Sequence, residues 1–219
     1  MQKGSVGHKQ RGEEMKFSCS TFYISHPAQV KHGQLQRTTA EDNKIIDYFL
    51  SIKAEQTDID PNQTWKTNWY THVEHQDIIG DLLDQIHSWY CLNVCEPRGP
   101  AFITGQEYID PKNLHIDANV WFQEYVPGHV SQQHEHGLLS RYSWVYYLKC
   151  EEDPSPLTFV QRGLNQKQEI NNVDELHLPV YNKMLVMFPS FIHHKVYPAN
   201  SKRYVLAGNI NDIVYEENK

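Results

Sequence analysis

Residues 184–210 read MLVMFPSFIHHKVYPANSKRYVLAGNI, and the reading of the fold turns on this stretch. Met184–Phe188 is a short apolar run, and the segment from Arg203 onward is a second, richer in β-branched and aromatic residues. The connector between them is crowded with Pro, Asn and Ser. Short runs bounded in this way predict strands rather than helices. Successive side chains on a strand alternate between its faces, so Arg203, Val205, Ala207 and Asn209 share one face. An arginine on an inward face requires an anionic partner, because a buried unpaired charge is costly. His194 stands nine residues before that arginine, just past the apolar run.

Working outward, the same texture recurs after Pro111. Val120–Tyr125, Ser143–Lys149, Leu157–Gln161, Met184–Phe188 and Arg203–Tyr215 all read as strands separated by turn residues. Many short strands without intervening helices predict a sandwich or jelly roll. The first half reads differently. Ile45, Ile46, Phe49, Leu50 and Ile52 form a helical stripe after the cap-type residues of Thr38–Asp42. Ile78, Ile79, Leu82, Leu83, Ile86 and Trp89 form a second stripe, and each suits a helix covering a sheet. Asp58–Asn62 reads as a loop, followed by the aromatic stretch of Trp65, Trp69 and Tyr70. The expected organisation is a flexible polar extension over 1–14, with Met15 as a natural start, and one domain over 15–219. Within that domain, 15–110 is helix-rich support and 111–219 a jelly-roll core, an α+β class that is mainly β.

Composition narrows the function. The chain has 219 residues, 20 Lys+Arg against 27 Asp+Glu, a net charge of -7 and 39% hydrophobic residues. This suits a globular chain. The acidic balance argues against nucleic-acid binding, which needs a surplus of Lys and Arg. No apolar run approaches the 18 or so residues of a membrane span, and residues 1–14 lack the apolar centre of a secretory signal. A cytoplasmic location is expected. Cys19, Cys91, Cys95 and Cys150 form no CxxC pair and read as buried or idle thiols. No glycine-rich dinucleotide or P-loop motif is present.

There are 13 histidines. At that abundance chance alone predicts about one HxH and about one HxD, and the chain holds both kinds, among them His134-Glu-His136 and His115-Ile-Asp117. Context decides between them. A mononuclear iron site takes two ligands from one strand and a third from a distant one, leaving open positions for substrate and oxygen. HxH on a strand turns two imidazoles to one side and Glu135 to the other. For His134 and His136 the later partner is His194, followed by Arg203. For the rival pair it is His177, which no arginine follows at a similar distance. Asp117 is expected in the turn entering Val120–Tyr125, and His193 is expected to point away from His194.

In this setting Trp121 to Ile210 resembles the prolyl-hydroxylase-like Fe(II)/2-oxoglutarate-dependent oxygenases. The likeness is greatest to small bacterial and phage members with HxH at the ligand position. It is carried by Tyr125-Val-Pro-Gly128, His134-Glu-His136, Val145-Tyr-Tyr-Leu148, Leu185-Val-Met-Phe-Pro-Ser190, and His194-Lys-Val-Tyr-Pro198 with Arg203. The resemblance implies a double-stranded β-helix and a dioxygenase using Fe(II) and 2-oxoglutarate, with ascorbate as a compatible accessory. It implies His134, His136 and His194 as the metal residues. Arg203 would pair with the distal carboxylate of 2-oxoglutarate, Tyr147 would support it, and Tyr125 and Asn209 would line the pocket. His136 stands where the family usually has a carboxylate. A histidine adds no negative charge, so three arrangements stay open: 2-oxoglutarate supplies the balance, a three-histidine site works without it, or water fills the position. The classes in contention are therefore the oxygenase, a cupin-like three-histidine metal enzyme, and a non-catalytic jelly-roll binding module. The Trp65–Tyr70 stretch and the Gly137–Arg141 loop are expected substrate walls. The substrate, a small molecule or a protein, and the oligomeric state are not specified.

Overall fold

The computed structural model describes residues 20–23, 29–56, 64–94, 114–136, 140–164, 170–198 and 200–214. The 1–14 extension, the Asp58–Asn62 loop, Cys19, Cys95 and most of the Gly137–Arg141 loop lie outside them. In chain order the elements are β1 (Ser20–Tyr23), β2 (Gln29–Gln34), α1 (Thr39–Ala54), β3 (Trp65–Lys66), α2 (Thr71–Glu74) and α3 (Gln76–Asn93). There follow β4 (Leu114–Tyr125), β5 (Ser131–His134), β6 (Tyr142–Cys150), β7 (Leu157–Leu164), β8 (Ile170–Leu178), β9 (Met184–Pro189), β10 (His194–Val196) and β11 (Arg203–Val214).

The strands form two sheets. One has seven strands in the order β1-β2-β9-β6-β11-β4-β3, the other four in the order β5-β10-β7-β8. Their ladders are antiparallel. The alternation in the central strands sorts side chains into two cores. Trp144, Tyr146, Leu148, Tyr204, Leu206 and Ile210 pack with Phe49, Ile86 and Trp89 of the long helices. Tyr147 and Val205, from the opposite face, join Val186 and Phe188 of β9 with Leu157 and Phe159 of β7 in the layer between the sheets. Period two thus sends Trp144 and Tyr146 to the helix side and Tyr147 to the other.

α1 begins where its cap predicts. The Thr38 hydroxyl accepts from the Glu41 N–H, and the Glu41 carboxylate accepts from the Thr38 N–H. One turn in, Asp42 is buried and accepts from Arg37 Nε at 2.8 Å and from the Tyr146 hydroxyl at 3.0 Å, tying the helix to β6. Asp117 corrects the sequence reading. It lies inside β4, opposite Asn211, because β4 begins at Leu114, not at Val120. The N-terminal segment also contributes β1, β2 and β3 to the larger sheet.

Candidate metal centre

β4 leads into the site through a tight turn. The His129 N–H donates to the Val126 carbonyl at 3.1 Å across Pro127 and Gly128, and Gly128 has φ +85°. Proline at the first central position and glycine at the second are what this turn type requires. The turn delivers β5 alongside β10, with His134 directly opposite His194 in the ladder. Their ring centroids are 4.3 Å apart. His136 lies two residues beyond β5, and its N–H donates to the Ser190 carbonyl at 3.0 Å. Its Nε2 comes within 3.4 Å of His194 Nε2. One ligand atom from each of the three histidines fits within 4.8 Å.

Hydrogen bonds set the tautomers of two of these rings. His134 Nδ1 faces the Gln132 carbonyl at 2.7 Å, and His194 Nδ1 faces the Ile192 carbonyl at 3.0 Å. A carbonyl oxygen only accepts, so both Nδ1 atoms carry hydrogen and both Nε2 atoms keep a lone pair. Burial lowers His194 to about 3, helped by the neighbouring His134 ring. Burial, then His134, lowers His136 to about 4. Both rings are therefore neutral donors at ordinary pH. Glu135 is exposed and is not one of the three clustered ligands.

Arg203 opens β11, pairing with Tyr125 of β4 and Cys150 of β6. It is only 1% exposed. One guanidinium nitrogen donates to the Ser155 carbonyl at 2.6 Å, and the group sits 4.4 Å above the Tyr125 ring and 5.8 Å from that of Tyr147. Its Nε is buried without a hydrogen-bond partner. Among the described residues no carboxylate pairs with it. Burial raises the Tyr147 and Tyr125 hydroxyls and pushes the Cys150 thiol up to about 11, with Arg203 pulling each the other way.

A cavity of about 480 Å³ is lined by the three histidines together with Arg203, Tyr125 and Tyr147. Asn209 is not among its lining residues; it is buried one step behind, its Oδ1 accepting from the Ser143 hydroxyl at 2.8 Å. Of the expected substrate walls, Lys66 and Trp69 line the cavity, whereas Trp65 belongs to the helix-side core. The rival pair is on β4 of the larger sheet, while His177 lies on the edge strand of the smaller one, against Thr158. The sequence reading passed over Ser143 and Trp121 as lining residues. The signal was there: Ser143 shares the face of Tyr147 by period two, and Trp121 shares that of Tyr125.

The donor set suits iron. Imidazole nitrogens bind divalent first-row metals, and three of them leave coordination positions open. The orphaned Arg203 Nε, in the same cavity, suits an anionic co-ligand. No protein-family model matches the sequence, and none of the curated proteins does. Solved structures do match. A prolyl-4-hydroxylase from Pseudomonas putida aligns at TM-score 0.54 and 15% identity, over 85% of this chain and 94% of that one. A prolyl hydroxylase from Trichoplax adhaerens, solved with a hypoxia inducible factor peptide fragment, aligns at TM-score 0.51 and 16% identity, over 79% of each chain. The non-heme alpha ketoglutarate dependent epimerase SnoN of nogalamycin biosynthesis aligns at TM-score 0.59 and 8% identity, over 84% of this chain and 77% of that one. The chain is therefore similar in fold, mainly β with two antiparallel sheets, to solved prolyl hydroxylases and other 2-oxoglutarate-dependent enzymes.

Proposed function

We propose that this protein is a non-haem iron oxygenase that couples oxidative decarboxylation of 2-oxoglutarate to hydroxylation of a substrate. The observation that carries the reading is Arg203: a buried cation with no carboxylate partner among the described residues, in the same cavity as three converging imidazoles. In this reading 15–219 is one oxygenase domain, and the smaller sheet with the central strands of the larger one forms a double-stranded β-helix.

Each residue then has a task. The Nε2 atoms of His134 and His194, with His136, hold the metal. Their Nδ1–H bonds to backbone carbonyls keep the first two rings from rotating away. Arg203 binds the far carboxylate of 2-oxoglutarate through a planar donor fork, and Tyr147 and Tyr125 flank it. Their hydroxyls stay protonated and so remain available as donors. Bound together, iron and 2-oxoglutarate supply with oxygen an oxidant able to break a C–H bond, and 2-oxoglutarate leaves as succinate and carbon dioxide. The apolar layer of Phe159, Phe188 and Val205 below the site limits water. A three-histidine enzyme that dispenses with 2-oxoglutarate leaves Arg203 without a task, which favours the oxygenase.

The test is succinate release by the Fe(II)-loaded protein in air with 2-oxoglutarate. Arg203→Ala should raise the 2-oxoglutarate concentration required by about tenfold or more, the scale of one lost charged hydrogen bond. Fe(II) affinity by calorimetry should stay within about twofold. Equal loss of both would show that Arg203 is structural.

A further inference from the structure

His136 differs in kind from its two partners. His134 and His194 face each other across a strand ladder, and each ring is tied to a carbonyl. His136 lies past the end of β5, and its main-chain tie is the N–H bond to the Ser190 carbonyl. What holds Ser190 therefore sets where His136 stands.

Ser190 is fully buried, and its own N–H donates to the Arg141 carbonyl at 3.2 Å. Its hydroxyl is 2.9 Å from that of Ser143 on β6. The Ser143 hydroxyl is in turn 2.8 Å from Asn209 Oδ1 on β11, directly across the ladder. The direction of this chain is determined by chemistry. An amide oxygen only accepts, so the Ser143 proton is committed to Asn209. The Ser190 proton must then go to the Ser143 oxygen. All three side chains are buried, so none can exchange its partner for bulk water at little cost. The chain runs from the middle of the seven-stranded sheet to the residue that carries His136.

We propose that Ser190, Ser143 and Asn209 form a positioning device that holds His136 as the third metal ligand, building the site's non-carboxylate corner from the larger sheet. This rests on the metal-centre reading above. The three residues act through His136 and are positioning residues.

Co(II) alone serves as the probe, because imidazole N–H protons on a paramagnetic ion give resolved, shifted resonances. The wild-type protein should show three such resonances. Ser143→Ala and Ser190→Ala should each lower Co(II) affinity about 10–100-fold, the usual cost of losing an outer-shell partner. Each should broaden or remove one resonance and spare the other two. Ser143→Thr, which keeps the hydroxyl, should restore both. In a His136→Ala background Ser143→Ala should change Co(II) affinity no further. If Ser143→Ala fails to fold, Ser190→Ala gives the same loss, while Asn209→Asp, which keeps the acceptor, should retain all three resonances and near wild-type affinity. Three resonances and unchanged affinity in the alanine variants would overturn the device while leaving the triad intact. An equal loss in the His136→Ala background would overturn it as well. A wild-type protein that shows no three-histidine signature would overturn the triad, and the device with it.

Discussion

His136 and His194 are held neutral by burial, and this has a pH signature. Their values in the folded chain, about 4 and about 3, lie below the 6.5 of a free imidazole. Between those limits the unfolded chain binds more protons, so the stability of the metal-free protein rises with pH and is lost as pH falls below 6.5. With two such groups the melting temperature of the metal-free protein should therefore fall by about 5–10 °C per pH unit between pH 6 and 4.5. His194→Asn should flatten that slope; an unchanged slope would place its origin elsewhere. Arg203 gives a second residue-scale outcome. Arg203→Lys keeps the charge but not the fork, so it should lie much nearer Arg203→Ala than wild type in 2-oxoglutarate affinity measured by calorimetry. Arg203, His134, His136 and His194 were legible in the sequence because order and spacing tie them together. The pairing of Ser143 with Ser190 was not, since a buried hydroxyl announces its partner only in the fold.

Elements were legible in proportion to how fully they are buried. β9 reads MLVMFP, and its Met184–Phe188 stretch is buried throughout, so the apolar run alone reveals it. β5 reads SQQH, is mostly exposed and forms an edge of the smaller sheet, so it carries no apolar alternation to detect. β2, reading QVKHGQ, hides for a related reason: its buried positions include Lys31 and Gly33. The Pro127–Gly128 turn is the element that aims β5 at β10. Gly128 at φ +85° has nothing within 4 Å of where a Cβ would stand, so the cost of substitution there is backbone strain and not a clash. Gly128→Ala should destabilise by about 1–2 kcal/mol in urea denaturation, and by displacing β5 it should also weaken metal binding. A variant as stable as the wild type would show that the turn relaxes without cost.

At the scale of the whole molecule, the helices brace the face of the larger sheet opposite the site. Phe49 is fully buried and stacks on Phe122 with centroids 4.7 Å apart. Phe49→Ala should cost about 3–5 kcal/mol in denaturation, with the 2-oxoglutarate affinity of the remaining folded protein unchanged, because that core is separate from the one beneath the cavity. The helix stripes and the β-rich second half gave this two-layer plan away in the sequence; the pairing of β5 with β10, which makes the site, depends on register that polar strands do not encode. The central claim is that three histidines and Arg203 bind Fe(II) and 2-oxoglutarate at one centre. The most direct measurement is the visible spectrum of the protein under nitrogen, first with Fe(II) and then with 2-oxoglutarate added. A charge-transfer band should appear only when both are present, and Arg203→Ala should require a higher 2-oxoglutarate concentration to produce it. No band in the wild-type protein, and no succinate once air is admitted, would contradict the account.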